Sequence, residues 1–381
     1  MSVTPSVHTV VFAPDSFKGT IGAADVAAAL AAGWGSVRPD DRVVLRPMAD
    51  GGEGTVDAFA AAIDGAVRVP VRVTGPDGRP TDAAWLRLPA TTDAPQGTGV
   101  VELASTSGIE LLGERRVGED AHTLGFGQAI AAALDAGVSR LVLGIGSSAS
   151  TDGGVGMLTA LGARFLDASG APIADGARGL AEVASVDVSE LRTLPPGGVL
   201  VLSDVTNPLL GARGAASVFG PQKGLVGEAI ARADAALARL AALLPADPAA
   251  PGAGAAGGTG FGLLAWGARL VAGSAEVGEL VGLPGALAEA SAVGSVVVVT
   301  GEGAFDGQSG AGKVPSYVAS VAADARVPAL LVAGRIDADA DTSAFAAHAA
   351  LTDLAGSGEA AMQDPARWLH AAGAELARAL D

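Results

Sequence analysis

Thr9–Trp34 reads TVVFAPDSFKGTIGAADVAAALAAGW. Thr9 to Ala13 is an apolar, largely β-branched run suited to a buried strand. PDSFKG is turn chemistry, and Gly22 to Trp34 is an alanine-rich stretch with helical spacing of its larger apolar residues. A strand handing over to a helix through a glycine turn is one βα unit. Strand Arg42 to Pro47, the turn MADGGEG and helix Thr55 to Ile63 repeat it. Strand Ser295 to Thr300, helix Val314 to Ala323 and strand Ala329 to Val332 return to the same style near the other end. The expected fold is therefore α/β with two α/β domains. One is Rossmann- or flavodoxin-like with a mostly parallel sheet, formed discontinuously from residues 1–66 and 292–381. The other, residues 67–291, is an inserted mixed-sheet α/β domain, and the active site is expected in the cleft between them.

Within the insertion the character changes. Ala66 to Val73, Ala84 to Leu88 and Gly99 to Ala104 alternate as antiparallel strands do, with GPDGRP as the first turn. Helix Thr123 to Ala136, strand Arg140 to Leu143, a helix from Gly153 to Leu161, strand Val199 to Leu202 and a long helix Gly227 to Leu244 follow. PADPAAPGAGAAGGTG reads as a loop, too rich in Pro and Gly for regular structure. No internal repeat is visible.

Apolar residues make up 49% of the 381 positions but aromatics only 4%, so the core must be built from small aliphatic side chains, as in helices packed closely on a parallel sheet. A formal charge of −17 argues against nucleic acid and against anionic membranes as partners. The absence of cysteine excludes disulfides and thiolate chemistry. His8, His122, His348 and His370 lack metal-ligand spacing. With no basic leader and no run of ~18 apolar residues, a soluble cytoplasmic protein is expected.

Only three of the 24 basic residues are lysines, and each has glycine beside it: Lys18 in SFKGT, Lys223 in PQKGL and Lys313 in AGKVP. A compact, rotatable ammonium next to accessible backbone N–H groups suits phosphate or carboxylate oxygens. The acidic residues follow the same rule. Asp15, Asp50, Glu53, Asp152, Asp204, Glu302 and Asp306 lie just beyond expected strands in glycine-rich turns, where open α/β sheets form their ligand crevice. Carboxylates there, without histidine or cysteine, favour Mg²⁺ over zinc. For any one aspartate, helix N-capping is the plain alternative.

Three local patterns point elsewhere. Gly307 to Val314, GQSGAGKV, has the G-x-x-x-x-G-K spacing, but Val314 stands where a P-loop needs Ser or Thr and the run begins six residues after a strand. It is read as a phosphate-binding loop of another kind. Gly144 to Ala149, GIGSSA, has dinucleotide-fingerprint spacing with Asp167 downstream, yet the helix starts only after SASTDGG. GAGAAG at Gly252 to Gly257 follows a proline-rich loop, not a strand. With no G-x-S-x-G elbow, a hydrolase is disfavoured. Lysines for phosphate, carboxylates for Mg²⁺ and glycine loops for close backbone approach match the needs of phosphoryl transfer. An NAD-dependent hydroxy-acid dehydrogenase and a non-catalytic sugar-acid binding protein remain as readings from other classes.

APDSFKG, MADGGEGT, GIGSSASTDGG, DVTNPLLG, FGPQKG, PGAGAAGG and GEGAFDGQ with GKVP occur in that order over about residues 10 to 335. In this the chain closely resembles the class I glycerate kinases of bacterial glycolate and glucarate breakdown. The resemblance implies the glycerate kinase I fold and ATP- and Mg²⁺-dependent phosphorylation of D-glycerate, typically at the 2-hydroxyl to give 2-phosphoglycerate. Phosphorylation at the 3-hydroxyl, or of a related small hydroxy acid, is the alternative, and the protein is expected as monomer or homodimer. There are departures from the family pattern. Ser147 and Thr151 replace a usual glycine and asparagine, Ser316 to Ala319 reads SYVA where a glycine is usual, and Ala304 stands where the family commonly carries arginine, a contact that Arg335 is expected to supply.

The expected roles are these. Lys18 and Lys223 neutralise the transferred phosphoryl group or the substrate carboxylate, and Lys313 adds charge at a helix N-terminus. Asp204, and next Asp306, takes the hydroxyl proton. Asp50, Glu53 and Glu302 hold Mg²⁺, with Asp204 as a further candidate. Asp15, Ser16, Ser148, Ser150 and Asp152 are expected to contact substrate or phosphate, as are Asn207, Gln222, Gly301 and Arg335.

Overall fold

The computed structural model of the protein describes residues 7–306 and 313–380. In chain order its strands are β1 (His8–Phe12), β2 (Arg42–Leu45), β3 (Val67–Thr74), β4 (Pro80–Leu88), β5 (Thr98–Glu102), β6 (Arg140–Gly144) and β7 (Arg164–Leu166). They continue with β8 (Ser185–Asp187), β9 (Val199–Leu202), β10 (Arg269–Val271), β11 (Ser295–Phe305), β12 (Ala329–Ile336) and β13 (Ala347–Ala350). The chain divides into two compact units: Met1–Asp50 with Asp57–Asp64 and Ala272–Asp381, and Gly51–Val56 with Gly65–Val271. Helices Gly273–Leu280 and Leu283–Val293 thus fall in the first unit, whereas the boundary drawn from sequence lies at residue 291.

The first unit is built on a five-stranded sheet ordered β13-β12-β11-β1-β2, with every neighbouring pair parallel. Taken from the β2 edge, its strands come second, first, third, fourth and fifth in sequence. That is the flavodoxin-like order, with its switch point between β1 and β11. The valine runs explain the pairing: Val10 faces Val297 and Val11 faces Val298, branched side chains that serve a strand buried on both sides. Val10, Phe12, Val297, Val299, Leu330 and Val332 share one core layer. Leu30 and Trp34 of helix Ala23–Gly35 and Leu369 and Leu376 of helix Pro365–Ala379 complete it. These two helices meet backbone to backbone. A β-carbon at Gly33 would collide with the His370 carbonyl, and one at Gly373 with the Leu30 carbonyl. Close helix contact is how a core short of aromatics is filled.

β11 differs from the expectation. It does not end at Thr300: pairing with β12 continues to Phe305 opposite Ile336, so Gly301 and Glu302 lie within β11 and Arg335 within β12, not in turns. β1 stops at Phe12 while β12 runs on beside β11, and Gly301 permits the approach because a β-carbon there would strike the Val332 carbonyl.

The second unit holds a six-stranded sheet ordered β10-β9-β6-β5-β4-β3. β3–β4 and β4–β5 are antiparallel and the other pairs parallel, the mixed sheet read from the alternating segments. β7 and β8 form a separate hairpin. Phe126 and Ile130 of helix Leu124–Asp135 and Leu237 and Leu240 of helix Glu228–Ala241 join Leu141, Leu143, Val199 and Val201 in its core. The segment read as a loop, residues 245–260, tightens into a 3₁₀ turn, Ala255–Gly258, that feeds helix Thr259–Trp266. Ala256, Gly257 and Gly258 take φ of 52°, 68° and 88°, so this glycine run serves a left-handed turn. Among the described residues no helix is long and apolar enough to cross a membrane.

Candidate active site

At the switch point of the first unit, the chain leaving β1 stays bound to β11. Ala13 N donates to the Val299 carbonyl (2.8 Å), Asp15 N to the Gly301 carbonyl (2.9 Å), and Thr300 Oγ1 to the Ala13 carbonyl (2.9 Å). FKGTI then closes as a tight turn. Phe17 N donates to the Ile21 carbonyl at 2.9 Å, and Gly19 takes φ 76°. Lys18 is left exposed at its tip, with Nζ 3.1 Å from Asp50 Oδ2. The Asp50 charge holds its ammonium above the usual lysine range. Met48 N donates to the Pro14 carbonyl (2.9 Å), which brings the strand β2 exit, and so Asp50, beside this turn.

Asp15 is buried, and its Oδ1 accepts from Ser16 N at 2.7 Å. Burial first, then the charge of Asp50, pushes its carboxyl up to about 8, with Glu302 adding in the same direction. Lys313 occupies the N-cap position of helix Val314–Ala325, its Nζ 3.5 Å from Glu302 Oε2 and 3.8 Å from Asp306 Oδ1. It thereby adds a cation where the helix dipole already favours anions. Arg335 stands across from Ala304 in the β11–β12 register, with its Nε 3.1 Å from Asp337 Oδ1.

These groups share a pocket of about 510 Å³. Asp15, Ser16, Lys18 and Asp50 line it, as do Glu302, Asp306, Lys313 and Arg335. Gly301 does not. Its contribution is the carbonyl that anchors Asp15 and the close passage of β12. Of GQSGAGKV, residues 307–312 lie outside the described residues, while Lys313 and Val314 line the pocket. Among the described residues no three His, Cys, Asp or Glu side chains are grouped to hold a metal by themselves. Mg²⁺ shared with phosphates needs only one or two carboxylates. Asp15, Asp50 and Glu302 offer hard oxygens, and a cation offsets both the burial of the Asp15 charge and its repulsion from Asp50 and Glu302, so the donor set fits.

In the second unit, Lys223 is 2% exposed, and its Nζ donates to Ser148 Oγ and to the Ser150 carbonyl, both at 2.6 Å. Burial pulls the ammonium down to about 7, with Asp152 opposing. Gly257 presses on it, since a β-carbon there would lie 2.9 Å from Nζ. Asp152 is engaged in capping: its Oδ2 accepts from Thr123 N, Thr123 Oγ1 and Gly156 N (2.9, 2.8 and 3.1 Å), and its Oδ1 from Gly154 N (3.2 Å). That ties the start of helix Leu124–Asp135 to helix Val155–Ala160. After β6 the chain stays non-helical to Gly154, and Ser148 bridges Gly108 antiparallel, so GIGSSA does not open a helix onto a pyrophosphate. Asp204 is exposed beyond β9, and Asn207 Nδ2 donates to the Arg213 carbonyl at 2.8 Å. Gln222 is exposed in the 3₁₀ turn Pro221–Lys223. Glu53 is exposed in the segment 51–56, which is fixed by Val56 N donating to the buried Glu102 Oε2 at 3.0 Å.

Glu102 carried no sequence signal, because it sits inside β5 and not in a turn. Gly303 and Gly334 were also missed. A β-carbon at Gly334 would collide with the Gly303 carbonyl, and both glycines line the pocket. GEG directly after the apolar run Ser295–Thr300 and AGR directly after the apolar run Ala329–Val332 are the signal that marks them.

Comparison with known proteins places these features in a family. The model of the glycerate kinase family matches residues 10–381. A glycerate kinase of Bacillus subtilis (strain 168) is 37% identical over 340 residues, covering 87% of this chain and 86% of its own. A glycerate 2-kinase of Escherichia coli (strain K12) is 39% identical over 338 residues, with 87% and 86% covered. A crystal structure assigned as a glycerate kinase 2 from Salmonella typhimurium LT2 superposes with a TM-score of 0.82 at 37% identity, covering 98% of each chain.

Proposed function

Since the chain belongs to the glycerate kinase family, we propose that it transfers the γ-phosphoryl group of ATP, in the presence of Mg²⁺, to the 2-hydroxyl of D-glycerate. The product is 2-phosphoglycerate. The observation that carries this reading is the arrangement at the switch point, where two ammonium groups, Lys18 and Lys313, stand 3.1 to 3.8 Å from the carboxylates of Asp50, Glu302 and Asp306 in one pocket. Phosphoryl transfer through a loose transition state demands positioning and neutralisation of charge on the equatorial oxygens, and little covalent chemistry from the protein.

Lys18, exposed on its tight turn, is free to rotate from Asp50 onto an incoming phosphate or carboxylate oxygen. Lys313 adds charge at a fixed helix end. Arg335 supplies the cation that Ala304 lacks. Asp306 lines the pocket and receives the hydroxyl proton. Asp50 and Glu302 would hold Mg²⁺, which neutralises phosphate charge when bound. In the second unit, Lys223 keeps Ser148 and the Ser150 carbonyl in place.

The test is Lys18→Met and Lys313→Met, read by ADP formation with D-glycerate. Loss of one charge-stabilising donor is expected to lower kcat by about 10²–10³-fold. Undiminished turnover in both variants would remove the lysines from the mechanism.

A further inference from the structure

The pocket holding Lys18 and Lys313 is not polar throughout, and the change follows the strand order. Asp50 follows β2, Asp15 and Lys18 follow β1, Glu302 lies near the end of β11 and Asp306 just past it, and Arg335 lies in β12. Beside β13 the lining turns aliphatic: Leu351 follows that strand, and Ala361, Met362 and Pro365 continue the wall. The charged side chains therefore gather beside β2, β1 and β11, with Phe17, Ala304 and Val314 among them, one guanidinium marks β12, and the β13 end carries no charge. Neighbouring strands lie about 4.8 Å apart, so the floor from β1 to β13 runs ~14 Å, comparable to an extended nucleoside triphosphate. A triose acid of roughly seven non-hydrogen atoms needs only a fraction of a cavity in the drug-sized range. Such an acid engages the charges and leaves the apolar end without an occupant.

Met362 is 63% exposed although three of the pocket's other apolar side chains, Phe17, Leu351 and Ala361, are buried. A flexible, polarizable thioether on a rim suits the face of a flat heteroaromatic ring. We propose that the β13 end is the nucleobase subsite of the phosphoryl donor. The purine lies against Leu351 and Met362 beside helix Gly358–Gln363, the ribose lies near Thr352 and Arg335, and the phosphates extend along the sheet edge to Lys313 and Lys18. This rests on reading the pocket as a kinase site.

Gly358 provides the test. Its backbone is outside the left-handed region, and an added β-carbon would meet only Thr352 Cγ2, at 3.9 Å, so Gly358→Phe fills the apolar end without a collision at its base. Met362→Glu, at an exposed position, sets a charge against the base. Binding of ADP and of inorganic tripolyphosphate is measured by calorimetry without glycerate. Each variant is expected to weaken ADP at least tenfold and to change tripolyphosphate less than twofold. ADP affinity unchanged in both variants, or an equal loss of both ligands, overturns the subsite. A chain whose ADP binding responds as expected but which forms no phosphoglycerate keeps the subsite and loses the proposed reaction.

Discussion

An ammonium group buried with no carboxylate within 4 Å among the described residues is costly, and Lys223 is such a group. Its folded value of about 7 lies below the ordinary 10.5. Between these limits the unfolded chain binds more protons than the folded one, so the Lys223 contribution makes stability rise with pH across that window and go flat below about 7. The stability difference between the protein and its Lys223→Met variant should therefore grow in favour of the parent from pH 7 to pH 10. Urea unfolding at several pH values measures it, and a difference independent of pH would mean that the amine is not buried as a titrating group. Glycine neighbours mark all three lysines in the sequence. They do not distinguish the exposed Lys18 from the buried Lys223, because that depends on the turn at Gly257, 34 residues further along, which closes on Nζ. Asp152 shows the same limit: its capping role is a plain option in the sequence, but its partner Thr123 lies 29 residues upstream.

At the scale of elements, helices Ala23–Gly35 and Pro365–Ala379 touch through glycine, a close approach that suits a chain with few aromatics. Gly373→Ala puts a methyl group against the Leu30 carbonyl and should cost about 1–3 kcal/mol, as overpacking does in a well-filled core. The midpoint of urea unfolding reads the loss, and an unchanged midpoint would show that the helices separate without cost. The valine runs at Val10–Val11 and Val296–Val299 declare buried parallel strands, and alternation in Val67–Thr74 and Pro80–Leu88 declares the antiparallel pair. The far end of β11 is illegible because glycine is a turn signal and glutamate is disfavoured in strands. What holds Gly301–Phe305 extended is the neighbouring β12, and a strand's end is set by its partner. The apolar lining at Leu351, Ala361 and Met362 is hidden for a related reason: in the sequence it is one side of short helices.

For the molecule as a whole, a charge of −17 sets a repulsive background for anionic substrates, and productive binding requires that cations be concentrated locally. The flavodoxin-like order does this by placing the β1 and β11 exits side by side, so that Lys18 and Lys313, 295 positions apart, line one pocket. The most direct measurement supplies Mg²⁺, ATP and D-glycerate to the protein, couples the product to enolase with no mutase present, and follows ADP and phosphoenolpyruvate together. Phosphoenolpyruvate appearing in step with ADP is the expected result. ADP released without phosphoenolpyruvate would contradict phosphorylation at the 2-hydroxyl, and no ADP at all would contradict the kinase reaction itself.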